Sequence, residues 1–186
     1  MQALGNGKLI ATVSEKNLLG KVIMTVGISK VDNRFVCTVF LKPLFTEIEL
    51  TNLAEQLNNS KTISIITHWS PDGDAIGSSL ALYQFLKYLD KNVKVIIPNA
   101  FPDFLEWMPG SKQILNFQEE EKKCENWLNK SDLIFTLDFN SYKRIEKLGD
   151  VLVKTSAPKV MIDHHQQPDD YAKYYYHDVK ACSTCE

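Results

Sequence analysis

From Phe45 onward the chain alternates between two hydrophobic rhythms. Thr62–Thr67 (TISIIT), Val93–Ile97 (VKVII), Leu133–Leu137 (LIFTL) and Lys159–Ile162 (KVMI) are short runs dominated by apolar and β-branched residues. They read as strands. Between them the apolar positions recur at helical spacing. Thr46–Asn58 carries Ile48, Leu50, Leu53, Ala54 and Leu57, with Thr46 placed to cap. Ala75–Leu89 carries Ile76, Leu80, Tyr83, Leu86 and Leu89. Shorter helices are expected over Glu119–Asn129 and Tyr142–Leu148. The strand runs are apolar on both faces, the pattern of parallel strands covered on each side. Strands separated by helices imply βαβ units and an α/β fold with an open parallel sheet flanked by helices. Residues 1–44 differ. Lys21–Ser29 and Arg34–Leu41 read as two strands around a polar turn at Lys30–Asn33, a small β-hairpin extension. The expected organisation is an extension over 1–44 and a domain over 45–186.

Composition narrows the class. At 186 residues the chain suits one domain, or one and a small part of another. Lys and Arg total 21 against 23 Asp and Glu, a net charge of −2, which excludes a protein that wraps nucleic acid by charge alone. No apolar run is long enough to span a bilayer, so no membrane partner is expected. MQALGNGKLI lacks the layout of a secretory signal. Four cysteines, at 37, 124, 182 and 185, are too sparse for a disulfide scaffold, and a reducing, cytoplasmic setting is the expectation.

The candidate chemistry lies just past the end of each strand. The first run leads into His68, Asp72 and Asp74, the second into Asn99, the third into Asp138, and the fourth into Asp163, His164 and His165. In an open parallel sheet the carboxyl ends of the strands share one edge, where ligands bind. Taken singly, Asp-Gly-Asp is ordinary turn chemistry, a His pair is an ordinary surface or core feature, and Asp138 could cap a helix. Their joint occurrence at three strand ends points to a metal site. Crowded carboxylates repel, and cations relieve that cost. Carboxylate and imidazole without thiolate favour Mn²⁺, with Mg²⁺ or Fe²⁺ as alternatives. So many ligands suit two ions about 3.5–4 Å apart, bridged by one carboxylate. Gly73 would let the loop turn tightly and aim Asp72 and Asp74 at neighbouring positions.

Other features have plainer explanations. Cys182-x-x-Cys185 lacks a second pair at zinc-site spacing. Tyr171 and Tyr174–Tyr176 could stack on bases but fit a strand packed on the core better. Phe101, Phe104, Trp107 and Met108 fit a core-packing turn. EEEKK at 119–123 fits a solvated helix face. Ser78 could approach a phosphate at a helix N-terminus or serve close packing, and Arg144 could contact phosphate or solvent equally.

ITHWSPDGDAIGSSLAL (66–82), LIFTLDFNSYKR (133–144) and VMIDHHQQPDDYA (160–172) together resemble the DHH phosphoesterase superfamily, which takes its name from the Asp-His-His stretch, here 163–165. Within it they are similar to the NrnA-like branch of bifunctional oligoribonucleases and 3′-phosphoadenosine-5′-phosphate phosphatases, and VIIPNAFPDFLEWMPG (95–110) resembles versions from Bacteroidetes-type bacteria. The resemblance covers about residues 45–186. It implies an enzyme that hydrolyses short single-stranded RNA or a 3′,5′-bisphosphate nucleotide through a hydroxide bridging two Mn²⁺ ions. It implies that His68 and Asp72 bind one metal, Asp74 and His164 the second, and that Asp138 bridges both. His165 would face the substrate phosphate, and Asp163 would orient a neighbouring His or loop. A fourth motif and the substrate-binding domain of the family lie downstream of ACSTCE (181–186) in relatives. On that comparison the chain is expected to be an amino-terminal half with lowered activity, as a truncated product, a fragment or a shifted frame. It would be completed by a missing half or another chain, a homodimer among the options.

Overall fold

The computed structural model describes residues 45–186 in full, together with the backbone of four strands among the first 44 residues. The chain divides into two compact units, 1–55 and 56–186.

In the first unit β1 (Gln2–Leu4) pairs antiparallel with β2 (Lys8–Ile10), and β3 (Met24–Val31) with β4 (Arg34–Leu41). The β3–β4 register ends at the Val31–Arg34 pair. The expected hairpin is therefore present, with its first strand shifted toward the turn; residues 21–23 lie outside those described. Helix α1 (Glu47–Asn59) begins with a reciprocal cap. The Glu49 amide donates to Thr46 Oγ1 at 3.2 Å, and the Thr46 amide donates to Glu49 Oε2 at 2.7 Å.

The second unit carries the sheet. Its elements are β5 (Thr62–Ile66), α2 (Gly73–Tyr88), β6 (Asn92–Ile97), β7 (Leu115–Asn116), α3 (Phe117–Leu128), β8 (Leu133–Leu137), α4 (Lys147–Lys154), β9 (Lys159–Asp163) and β10 (Tyr174–His177). The strand order is β10-β9-β8-β5-β6-β7, with every neighbour parallel. The chain winds outward from β5 through β6 and β7, then returns to β8 and winds the other way. Crossovers between parallel strands are right-handed, so opposite winding directions put α2 on one face and α3 and α4 on the other. Accordingly α3 and α4 share one buried cluster of Phe117, Cys124, Leu128, Leu148 and Leu152 against Ile66, Ile96 and Ile134. Asp132 closes the far end of the central pair, where its Oδ2 accepts the amides of Lys61 (2.9 Å) and Thr62 (2.8 Å).

Two local expectations change. The helix expected over Tyr142–Leu148 is a single-turn 3-10 segment, Tyr142–Ile145, broken at Glu146 (φ 50°) before α4. Gly149 permits the close approach of these two pieces, because a Cβ there would lie 3.0 Å from the Tyr142 carbonyl oxygen. Phe104 and Trp107 do not pack in the core; they are 72% and 76% exposed. The loop adopts 3-10 turns, whose three-residue period puts Phe104 and Trp107 on one face and Leu105 and Met108 on the other. The inward face is taken by Leu105. Two-residue β7 is too short to leave a periodic signal. By contrast Tyr174–Tyr176 do form a strand, and Tyr176 is buried in it. No helix among the described residues is long and apolar enough to cross a membrane.

Candidate metal centre

The reversal of winding falls between β5 and β8, and this switch point is where an open parallel sheet leaves a crevice beyond its strand ends. His68 comes just after β5 and Asp138 just after β8, so the two residues face one another there. Asp163 ends β9, and His164 and His165 come next.

Asp138 is at the centre. It is 2% exposed and its backbone is left-handed (φ 64°), a conformation that Asp tolerates better than most residues. Its amide donates to the Ile162 carbonyl at 3.1 Å, which anchors it between β8 and β9. The two carboxylate oxygens face different partners. Oδ2 lies 3.5 Å from His68 Nε2. Oδ1 lies 3.5 Å from His164 Nε2 and 3.7 Å from His165 Nδ1. Asp72 Oδ1 lies 4.0 Å from His68 Nε2, and Asp74 Oδ2 lies 3.7 Å from His164 Nε2. Two groups of potential ligands thus share Asp138: His68 and Asp72 on one side, His164 and His165 on the other.

The backbone fixes the tautomers. His68 Nδ1 is 2.8 Å from the Trp69 carbonyl, and His164 Nδ1 is 3.2 Å from the Ala181 carbonyl. A carbonyl oxygen only accepts, so each Nδ1 carries the proton. In the neutral ring each Nε2 then presents a lone pair toward the carboxylates. Repulsion between lone pairs and carboxylate oxygens calls for a cation. His68 Nε2 is buried without a hydrogen-bond partner, and so is Asp163 Oδ2. Such atoms are costly unless something occupies the space they face. Without a metal, burial lowers the proton affinity of His68, but the Asp138 carboxylate and Trp69 carbonyl outweigh it and the pKa is raised. The charge of Arg144 opposes that rise. Burial would raise the Asp138 pKa, yet His68 and the Thr184 hydroxyl hold it below the usual carboxylate range. The donor set, oxygen and imidazole with one orphaned buried nitrogen, fits a borderline-hard divalent ion.

The other expected residues take definite places. Asp72 is the N-cap of α2, its Oδ1 accepting the amides of Asp74 (3.0 Å) and Ala75 (3.1 Å). Gly73 is the first residue of α2 and makes no left-handed turn; the turn lies at Ser70 (φ 51°), whose amide donates to Asn99 Oδ1 at 2.7 Å. Asn99 thus holds the loop that carries His68. His165 Nδ1 lies 2.7 Å from Asp163 Oδ1, so Asp163 orients the ring from behind. The His165 carbonyl accepts from His177 Nε2 on β10. The Ser78 hydroxyl donates to the Asp74 carbonyl at 2.7 Å, a bond within α2. Arg144 serves through its backbone, its carbonyl accepting the Trp69 amide at 2.7 Å. Cys182 and Cys185 are exposed free thiols. Thr184, given no role from sequence although its segment 181–186 resembles a family stretch, donates its hydroxyl to Asp138 Oδ1 at 2.9 Å and its amide to Asp74 Oδ2 at 2.8 Å.

The chain is similar to several known proteins. The chain is 47% identical over 124 residues to the bifunctional oligoribonuclease and PAP phosphatase NrnA of Thermus thermophilus, covering 67% of this chain and 34% of that protein. It is 24% identical over 148 residues to the cyclic-di-AMP phosphodiesterase PdeA of Listeria monocytogenes, covering 72% and 21%. Among solved structures it is similar to an exopolyphosphatase-related protein from Bacteroides fragilis, with a TM-score of 0.76 and 42% identity over 77% of this chain and 42% of that one. The chain therefore spans about a third or less of the curated relatives it matches. A family model described as DHH family, N-terminal domain, matches residues 62–186. The region matched holds the whole sheet and every residue around Asp138, and the chain belongs to the DHH family.

Proposed function

We propose that this chain is a metal-dependent phosphoesterase acting on short oligoribonucleotides and on 3′-phosphoadenosine-5′-phosphate. The observation that carries the reading is the division of Asp138, one carboxylate oxygen toward His68 and the other toward His164. Asp138 Oδ2, His68 and Asp72 would hold one divalent ion; Asp138 Oδ1, His164 and Asp74 would hold the second. Mn²⁺, or Mg²⁺ in its place, supplies Lewis acidity and a water acidic enough to ionise near neutral pH. His165, with Nδ1 committed to Asp163, keeps Nε2 for a phosphoryl oxygen. Arg144 adds positive charge beside the same cleft.

The substrate class rests on the relatives. The higher identity to NrnA than to PdeA favours short RNA and the bisphosphate nucleotide over a cyclic dinucleotide. Few phosphate contacts are needed for so short a substrate, in keeping with the net charge of −2. The test is a panel of pApA, 3′-phosphoadenosine-5′-phosphate, cyclic di-AMP and polyphosphate with Mn²⁺. Preferred hydrolysis of the first two supports the reading. Turnover confined to cyclic di-AMP or polyphosphate replaces its substrate class, and metal binding without turnover of any of them removes it.

A further inference from the structure

We propose that Thr184 is a positioning residue whose hydroxyl fixes Asp138, the carboxylate the two ions would share, while its amide holds Asp74; the inference rests on the two-ion reading above. The segment 181–185 touches all three side chains of the His164 side. The Ala181 carbonyl accepts from His164 Nδ1, the Thr184 and Cys185 amides donate to the two oxygens of Asp74 (2.8 and 2.9 Å), and the Thr184 hydroxyl donates to Asp138 Oδ1. Among the described residues, no hydrogen bond from this segment reaches His68 or Asp72.

The hydroxyl has a specific task. The Asp138 backbone is pinned by its amide bond to Ile162, but the terminal torsion of an Asp side chain is soft and roughly two-fold. Rotation about it would carry each oxygen away from its imidazole. A donor on Oδ1 alone stops that rotation and keeps Oδ2 toward His68. The amides of 184 and 185 hold Asp74 through the backbone, so only the bond to Asp138 depends on the side chain of residue 184. Valine has the shape of threonine without the donor, and serine keeps the donor.

The experiment is a Mn²⁺ titration of the full chain, with free Mn²⁺ monitored by electron paramagnetic resonance, for wild type, T184V and T184S. Wild type is expected to bind two ions. In T184V both ions should bind roughly tenfold more weakly, because Asp138 is shared between them; that is the loss typical when a group that orients a metal ligand is removed. T184S should match wild type within about twofold. No weakening of either ion in T184V, or T184S as poor as T184V, overturns the proposal. Wild type that binds no Mn²⁺ overturns the two-ion reading itself, and Thr184 falls with it, a pattern unlike the other two. Thr184 is half-buried outside the sheet, so the fold should survive the change, which a thermal melt checks. If T184V does not fold, T184A replaces it and is compared with T184S in the same way.

Discussion

His68 Nε2 stands 3.5 Å from Asp138 Oδ2 while the proton of its ring is committed, through Nδ1, to the Trp69 carbonyl. With the ring neutral, two groups with only lone pairs to offer are thus held face to face across a buried gap. Replacing Asp138 tests what that gap is for. D138N keeps the shape and removes the charge shared by both ligand groups. Hydrolysis should fall by at least about 100-fold, and both Mn²⁺ ions should bind more weakly. Steady-state kinetics with pApA and a Mn²⁺ titration check it; a D138N chain within a few-fold of wild type in both would detach Asp138 from the chemistry.

Acid sensitivity should be traceable to Asp132, far from the cleft. The amides of Thr62 and Lys61 hold its pKa below the usual carboxylate value. A lowered folded pKa means the stabilisation is present above the unfolded value, about 3.9, and is lost as pH falls through the folded one. The side chain is largely exposed, so solvent screening limits the effect, and D132A should cost about 1 kcal/mol at pH 7. Urea midpoints for wild type and D132A should differ at pH 7 and converge toward pH 3. D132N, which still offers a carbonyl oxygen, should fall between them.

Cysteine reactivity should track burial. Burial pushes the Cys124 thiol up to about 11, and it lies in the cluster under α3 and α4. Cys185 is exposed as a residue, but desolvation of its thiol and the neighbouring Asp74 carboxylate push it up to about 12. The thiolate is the reactive form. Iodoacetamide at pH 8, read by peptide mass, should therefore label Cys182 first, Cys185 slowly, and Cys124 only in urea. Labelling of native Cys124 at the rate of Cys182 would contradict the packing of that face.

Much of this was legible from residue order because the signals are local. LIFTL forms β8 over the expected residues, and three strand ends carry their acids and histidines to the same edge once the strands are parallel. The clustering of His68, Asp138 and His164 thus comes from the fold class and nothing finer. What escaped is non-local. Thr184 reaches Asp138 across 46 positions and Asp74 across 110, and no periodicity reports such a bond. The break at Glu146 comes from tertiary packing of the 3-10 turn on Gly149, where helical spacing alone suggests one continuous helix. Phe104 and Trp107 look like core residues by composition, and only the 3-10 period turns them outward.

The division of Asp138 between two ions is tested most directly by crystals grown with Mn²⁺ and measured at the manganese absorption edge. Two anomalous peaks about 3.5–4 Å apart should flank Asp138, one toward His68 and Asp72 and the other toward His164 and Asp74. A single peak, or manganese bound away from Asp138, would contradict it.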